Sequence, residues 1–376
     1  ISLDTICARP KMTPFVILKM MSITLRHGLS EHASSAFALF GLLILNIKFD
    51  VDMAYRYGQV AMALLDMYKL DEYLPRVYAA FYGIIVSWKE PVRVTFAPLC
   101  RSHKTGLRTG DLEFAALAGN IALCQKIHGG PPLRQLQESA TYMVEWMKSH
   151  KQFAGLKFAK ANLMFFQLLL GDLNYSSSGD GGYAKILHEL VDNGVAINVN
   201  GAKTYMMIIH YKFGNFKEAE SCFVKDQEGE PRDFGVSAQW LYESMTRLAF
   251  ARQGIKKRKN LRKVRAVIKQ LKALSTKCPE NLSDKVFLLQ GELASVNGNY
   301  DRALSKFKLA ATMAAASKFL CFEALAYERM GWLVARQPLP DLAVARSYFE
   351  QSCARYQEWE AFAKVDHLRE EFSSVL

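Results

Sequence analysis

A six-residue signature recurs along this chain and narrows what it can fold into. Gly110-Asp111-Leu112-Glu113-Phe114-Ala115 has the form glycine, polar, bulky apolar, two variable positions, alanine. Gly214-Asn215-Phe216-Lys217-Glu218-Ala219 and Gly298-Asn299-Tyr300-Asp301-Arg302-Ala303 repeat it. Each position has a physical reading. Glycine ends a helix where the backbone turns left-handed, and the polar residue after it suits the turn and helps to start the next helix. The bulky residue (Leu112, Phe216, Tyr300) plugs the groove between the two helices. Alanine (Ala115, Ala219, Ala303) stands where the helices cross too closely for anything larger.

The second and third copies lie 84 residues apart, room for two units of about forty residues. In the best single unit, Phe287, Gly291, Ala294, Gly298, Tyr300, Ala303, Phe307 and Ala310 occupy the spacing of a tetratricopeptide repeat. Gly331, Ala343, Ala345 and Phe349 carry the theme onward past the longer turn Pro338-Leu339-Pro340.

Between these turns the chain reads as helix. Glycine (23) and proline (11) are sparse and clustered, and the stretches between them are rich in Ala, Leu, Met, Phe, Lys and Glu. Apolar residues recur with helical period, which predicts helices near 14–27, 33–48, 51–69, 73–89, 92–107, 111–127, 133–149, 152–171 and 182–193. Others are expected near 201–213, 216–226, 235–253, 259–275, 282–297, 300–314, 317–335, 341–356 and 358–373. The expected fold is all-α, an α-solenoid of antiparallel helix pairs forming a tetratricopeptide-like right-handed superhelix. Asn174–Gly182 is the clear irregular break, so the chain divides into an N-terminal helical stack (1–173), a loop (174–182) and a C-terminal repeat stack (183–376), within one continuous solenoid.

Several classes of chemistry lack their residue patterns. The Asn174–Gly182 stretch has no following lysine to make it a phosphate-binding loop. The eight histidines are dispersed, with no HExxH, HxH or HxxxH spacing, and His188-Glu189 has no partner nearby in sequence. No GxSxG, dinucleotide-binding or kinase motif occurs. The seven cysteines are scattered without a CxxC pair, which predicts reduced thiols, no zinc site and a cytoplasmic setting. Apolar runs at Pro14–Leu25, Ala36–Asn46 and Leu163–Leu170 fall short of the ~20 residues of a membrane span, so no transmembrane segment is expected. Ile1 in place of a methionine, with no signal-peptidase site after it, favours a fragment of something longer.

Charge is concentrated in one place. The chain carries +12, and Gly254–Lys277 alone holds ten Lys or Arg with no acid, leaving about +2 elsewhere. Leu261, Val264, Ile268 and Leu271 build an apolar helix face beside a basic stripe of Arg258, Arg262, Arg265, Lys269 and Lys272. Three readings compete: a solvated or salt-bridged surface, a dock for an acidic domain or peptide, or a site for nucleic acid or an anionic membrane. No aromatic residue interleaves with the stripe, which disfavours nucleic acid. Tyr78, Phe81, Tyr82 and Trp88 on one helix, and the pairs Met20-Met21 and Met206-Met207, read as core.

The stretch from Phe49 to Asn120 carries a resemblance. It contains Ala54-Tyr55-Arg56-Tyr57-Gly58, Val77-Tyr78, Trp88-Lys89-Glu90-Pro91, Gly106-Leu107 and Thr109-Gly110-Asp111-Leu112-Glu113-Phe114-Ala115. These resemble the tetratricopeptide-like helical region that follows the nucleotide-binding module in large AAA- or STAND-type signalling ATPases. Members of that family combine it with kinase-like, GAF, histidine kinase or nucleotide cyclase domains. The resemblance implies a non-catalytic interaction and coupling scaffold, whose partner is a protein domain or peptide or an attached ATPase or kinase module. Because no Walker or kinase motif occurs here, it implies ATP only for another part of the parent protein, and no cofactor in this chain. The alternative is a helical protein that binds polyanions through the stripe at 256–272.

Overall fold

The computed structural model describes residues 12–129, 131–173, 196–224 and 233–373. Among the described residues every regular element is helical and no strand occurs. The first eight α-helices are α1 Thr13–His27, α2 Ala33–Lys48, α3 Val51–Tyr68, α4 Leu74–Ala80, α5 Phe96–Thr109, α6 Leu112–Gly129, α7 Leu133–Ser149 and α8 Phe153–Leu170. They are followed by α9 Ala196–Lys212, α10 Phe216–Ser221, α11 Gly235–Arg252, α12 Lys257–Ser275 and α13 Pro279–Val296. The last are α14 Tyr300–Ala316, α15 Leu320–Ala335, α16 Leu342–Glu358 and α17 Phe362–Ser373. The break at 174–182, the helix expected at 182–193 and His188-Glu189 lie outside the described residues.

Helix ends follow local chemistry. Gly110, Gly214 and Gly298 take left-handed φ values of 83°, 76° and 76°. Asn299 accepts a hydrogen bond from the Arg302 N–H at 3.1 Å, and Asp50 and Asp341 cap α3 and α16 in the same way. Phe49, Lys69, Lys151, Lys256, Lys318 and Glu360 also turn left-handed at helix boundaries. That conformation costs a residue with a Cβ roughly 1 kcal/mol, and it places helix ends where no glycine marks them.

Two expected helices differ in detail. The segment expected as one helix over 73–89 is α4, then a π turn over Phe81–Ile85, then a 3-10 turn over Val86–Trp88. Its cause is Gln125 of α6, whose side-chain amide donates to the Tyr82 and Gly83 carbonyls at 3.2 and 2.9 Å. A side chain inserted into the backbone ladder widens the turn. The helix expected over 216–226 stops at Ser221, whose hydroxyl donates to the Glu218 carbonyl at 2.7 Å and competes with the helical ladder.

Successive helices pack on one another, most extensively α2 with α3, α5 with α6, α7 with α8, α13 with α14, α14 with α15 and α15 with α16. Glycine sets the closeness of two of these crossings. A Cβ built on Gly291 would lie 2.6 Å from the Phe307 ring, and one on Gly331 would lie 2.7 Å from the Phe349 ring. Both phenylalanines are fully buried. Contacts also join distant parts of the chain, since α6 touches α15 and α8 touches α17. The Leu133 N–H donates to the Trp359 carbonyl at 3.2 Å, and the Arg134 N–H to Glu360 Oε2 at 2.7 Å. The largest buried apolar cluster accordingly runs from Leu42 to Leu368. In a pure repeat array each unit would touch only its neighbours.

One buried side chain fastens this long-range contact. Asn281, at the start of α13, accepts from the Val92 N–H at 2.9 Å and donates to the Ser87 and Glu90 carbonyls at 2.7 and 2.8 Å. It satisfies three backbone groups of the turn around Pro91, which precedes the 3-10 turn Val92–Thr95 and α5.

Two glycine substitutions separate the causes of helix closeness. Gly291→Ala should cost about 1–3 kcal/mol by overpacking Phe307, and Phe307→Leu should relieve part of that loss in the double variant. Gly110→Ala meets no atom within 4 Å and should cost about 1 kcal/mol through its left-handed φ alone, with no rescue from a neighbour. Urea midpoints of the variants measure all three values. A Gly291→Ala variant as stable as the parent would remove the close-packing account.

Candidate functional site

The basic stripe lies on α12. That helix contains no glycine or proline, and it buries Leu261, Val264, Leu271 and Leu274 against α11 and α13. Arg258, Arg262, Arg265, Lys269 and Lys272 are spaced 4, 3, 4 and 3, so they form one row beside the buried face, about 21 Å long at ~1.5 Å per residue. All five are exposed, and none makes an ion pair with a described residue. Lys256, Lys257, Lys259 and Lys263 flank the row and are exposed too. The stripe is therefore exposed, and it carries no salt bridge to any of the described residues. At the end of the basic segment Lys277 bonds Asp52, which Lys89 also reaches. Those two hydrogen-bonded ammonium groups hold the Asp52 carboxyl down at about 2.

The placement of these cations works against local stability. Lys257, Arg258 and Lys259 occupy the first turn of α12, which has no acid and no side-chain cap. Positive charge at a helix N-terminus opposes the macrodipole by roughly 0.3–1 kcal/mol per group at low salt.

The structure also contains buried ionic groups that the sequence reading did not single out. The Lys285 ammonium on α13 donates to the Asn281 carbonyl at 2.8 Å and lies 4.1, 5.0 and 5.4 Å from the ring centres of Phe322, Phe319 and Phe234. Asp284 beside it is equally buried, and burial pushes the lysine down and the carboxyl up, toward a neutral pair. His128 stacks on Phe322 at 6.0 Å, and burial drives its pKa down to about 3, leaving the ring uncharged.

A second group joins α9, α15, α16 and α17. Lys364 pairs with Glu328 at 3.3 Å and donates to the Lys212 carbonyl at 2.6 Å, while the Tyr356 hydroxyl donates to Glu328 at 3.1 Å. The Lys212 ammonium donates to the Tyr356 hydroxyl at 3.3 Å and faces the rings of Tyr356, Trp359 and Tyr242 at 4.7, 5.6 and 5.8 Å. Burial raises Glu328, but the charges of Lys364, Arg329 and Lys212 outweigh it and hold the carboxyl below its usual range. A signal for these groups exists in the sequence. Leu282, Lys285, Leu289 and Glu292 share one face of α13, so charges sit at positions that helical period assigns to the core.

The repeat-signature residues are packing and turn positions. Gly110, Gly214 and Gly298 are the left-handed ends just described, and Gly291 lies under Phe307. Ala115, Ala219 and Ala303 are fully buried, while Phe216 and Tyr300 pack half-buried against the core. Of the aromatic helix, Tyr78, Phe81 and Trp88 are buried, as are Met21, Met206 and Met207. The six described cysteines are free, and no group of three metal-capable side chains occurs among the described residues. Helix α8, at 18 residues and mean hydropathy 1.2, is long and apolar enough to cross a membrane. Here it packs against α6, α7, α9 and α17.

The Lys212 cage predicts a pH signature. Burial lowers the Lys212 pKa to about 8, opposed by Cys321 and Glu328 and helped by Lys364. An unfolded lysine titrates near ~10.4. Between these values the unfolded chain holds a proton that the folded one has lost, so this group's contribution to stability rises with pH across roughly 8 to 10. Lys212→Met has no such term. The difference in urea midpoint between parent and variant should shift toward the parent from pH 7 to pH 10, by an amount on the order of a few kcal/mol. A difference independent of pH would mean that Lys212 keeps its proton in the fold.

Neither a protein-family model nor a curated protein matches this chain.

Proposed function

We propose that the chain is a non-catalytic protein-interaction and coupling scaffold whose acidic partner docks along the exposed face of α12. In this reading the helix pairs form an α-solenoid of tetratricopeptide-like antiparallel units. The chain belongs to a cytoplasmic signalling protein, and partner binding is passed to an attached ATPase or kinase module. The observation that carries the reading is the row of five exposed cations on α12, none of them paired with a described residue. Its apolar underside is already buried in the chain's own core, so the row is free to meet a partner without unfolding anything.

A protein helix with Glu or Asp every three or four residues matches the row in spacing as well as in sign. A single-stranded nucleic acid would be expected to stack its bases on aromatic side chains, and the row has none. The sequence resemblance over Phe49–Asn120 supports the coupling role. Its signature positions Gly110 and Ala115 and its Trp88 are turn and core residues, as a scaffold requires.

Three defined probes test the reading on the full chain: a 20-residue helical peptide with Glu at 3–4 spacing, a 20-nucleotide single strand, and phosphatidylserine vesicles. The peptide should bind most tightly, and binding should weaken steeply with salt. Arg258→Glu/Arg262→Glu/Arg265→Glu should abolish it while leaving helical circular dichroism unchanged. Tighter binding to the nucleic acid or the vesicles would replace the partner-helix reading with polyanion binding through residues 256–272. Binding of the peptide by the triple variant would remove the row from the mechanism.

A further inference from the structure

A recess of about 90 Å³ opens beside the carboxyl end of α11. Arg252, Glu292, Arg329, Arg336 and Tyr211 supply its polar lining, and Phe216, Met245 and Ala249 its apolar lining. It has room for several water molecules at the ~15 Å³ each requires. Gln253 and Arg336 are exposed, which places the mouth of the recess at the surface.

The charges lining it do not balance. Glu292 is buried, and both of its oxygens are in use. Oε2 accepts from Arg252 Nη2 at 2.7 Å, and Oε1 accepts from Arg329 Nε. Arg336 makes no ion pair with a described residue, and its guanidinium rests over the Trp332 ring at 4.9 Å. Three guanidinium groups thus share one lining carboxylate, a surplus of two positive charges. Glu371, whose carboxyl also feels Arg329 and Arg336, is outside the lining.

Hydrogen-bond donors are in surplus as well. Arg329 binds Glu292 through Nε, which leaves both of its terminal nitrogens for another acceptor. Arg252 binds through Nη2 alone, also touching Ser295 Oγ at 3.4 Å, which leaves Nε and Nη1. The planar guanidinium fork matches the oxygens of a phosphate better than a lysine ammonium does.

We propose that this recess binds a phosphate monoester group, held by Arg252, Arg329 and Arg336 with the Tyr211 hydroxyl as a further donor. A phosphate monoester carries about −1.5 to −2 at pH 7, which offsets the surplus of two. The same group arrives either as a free anion or on a phosphorylated side chain of a partner. The site is separate from the α12 row and does not depend on it.

Titration calorimetry at constant ionic strength, with phosphate replacing chloride, tests the proposal. Inorganic phosphate should bind the parent chain at one site, and Arg336→Gln should weaken it about tenfold or more, the loss of one charge-assisted hydrogen bond. Arg336 is exposed and makes no ion pair with a described residue, so this variant should keep its fold. Ala249→Leu, which fills the recess without altering charge, should weaken phosphate binding as well. Arg258→Glu/Arg262→Glu/Arg265→Glu should leave it unchanged. A phosphoserine peptide that binds tighter than phosphate identifies a partner side chain as the source, and equal binding identifies a free anion. Phosphate binding indistinguishable from chloride, binding unaffected by Arg336→Gln and Ala249→Leu, or binding lost in the α12 variant would each overturn the assignment.

Discussion

Three hydrogen bonds from Asn281 hold together parts of the chain about 190 residues apart. The turn from Ser87 to Val92 cannot satisfy its own backbone, because Pro91 interrupts the helical ladder and the π and 3-10 turns before it leave carbonyls unpaired. Asn281 supplies both the missing donors and the missing acceptor from a fully buried position. Leaving such a group unsatisfied costs about 1–3 kcal/mol, and three are at stake against a total stability of roughly 5–15 kcal/mol. The same turn places Trp88, whose ring lies 5.2 Å from Phe49 and 6.2 Å from both Phe234 and Trp240. The end of α2, the turn before α5 and the start of α11 therefore take their positions from one contact.

One helical turn beyond Asn281 comes Lys285, and one face further along α13 comes Glu292. A purely apolar seam between helices would tolerate sliding by a turn, since leucine and alanine pack against many neighbours. Ion pairs do not slide. Glu292 needs Arg252 and Arg329 opposite it, and Glu328 needs Lys364 and Tyr356. Breaking one member of such a buried pair costs about 3–5 kcal/mol, so each pair excludes the registers that would separate it. The apolar core supplies the drive to pack, and the buried charges select which helices meet.

How much of this could be read from the sequence depends on range. Helix positions were legible because apolar period is local, and Gly110, Gly214 and Gly298 announced their turns. Helix ends at Lys69, Lys151 and Lys318 were not, because nothing in a lysine signals a left-handed backbone. The π turn over 81–85 was hidden for a different reason, since its cause is Gln125, more than 35 residues away in the chain. The basic row was visible as a stripe, but that none of its cations pairs with a described acid could be known only once those acids had positions. Buried Lys285 and Glu292 left a trace, a charge on an apolar face, which helical period alone reads as an imperfection of the pattern. The arginine recess left none, because Arg252, Glu292, Arg329 and Arg336 come from three different helices and the turn after one of them.

The two positive regions meet at one turn. Arg252 closes α11 and lines the recess, and Lys257 opens α12 five residues later. Between them Gly254 and Lys256 both take left-handed backbone, with φ of 81° and 45°. Lys256, Lys257, Arg258 and Lys259 crowd the positive end of the α12 dipole, a few residues from guanidinium groups that already exceed their counterions. The recess draws its charges from α11, α13 and the end of α15, and the row draws its own from α12, so the two sites are neighbours along the chain that are built by different helices.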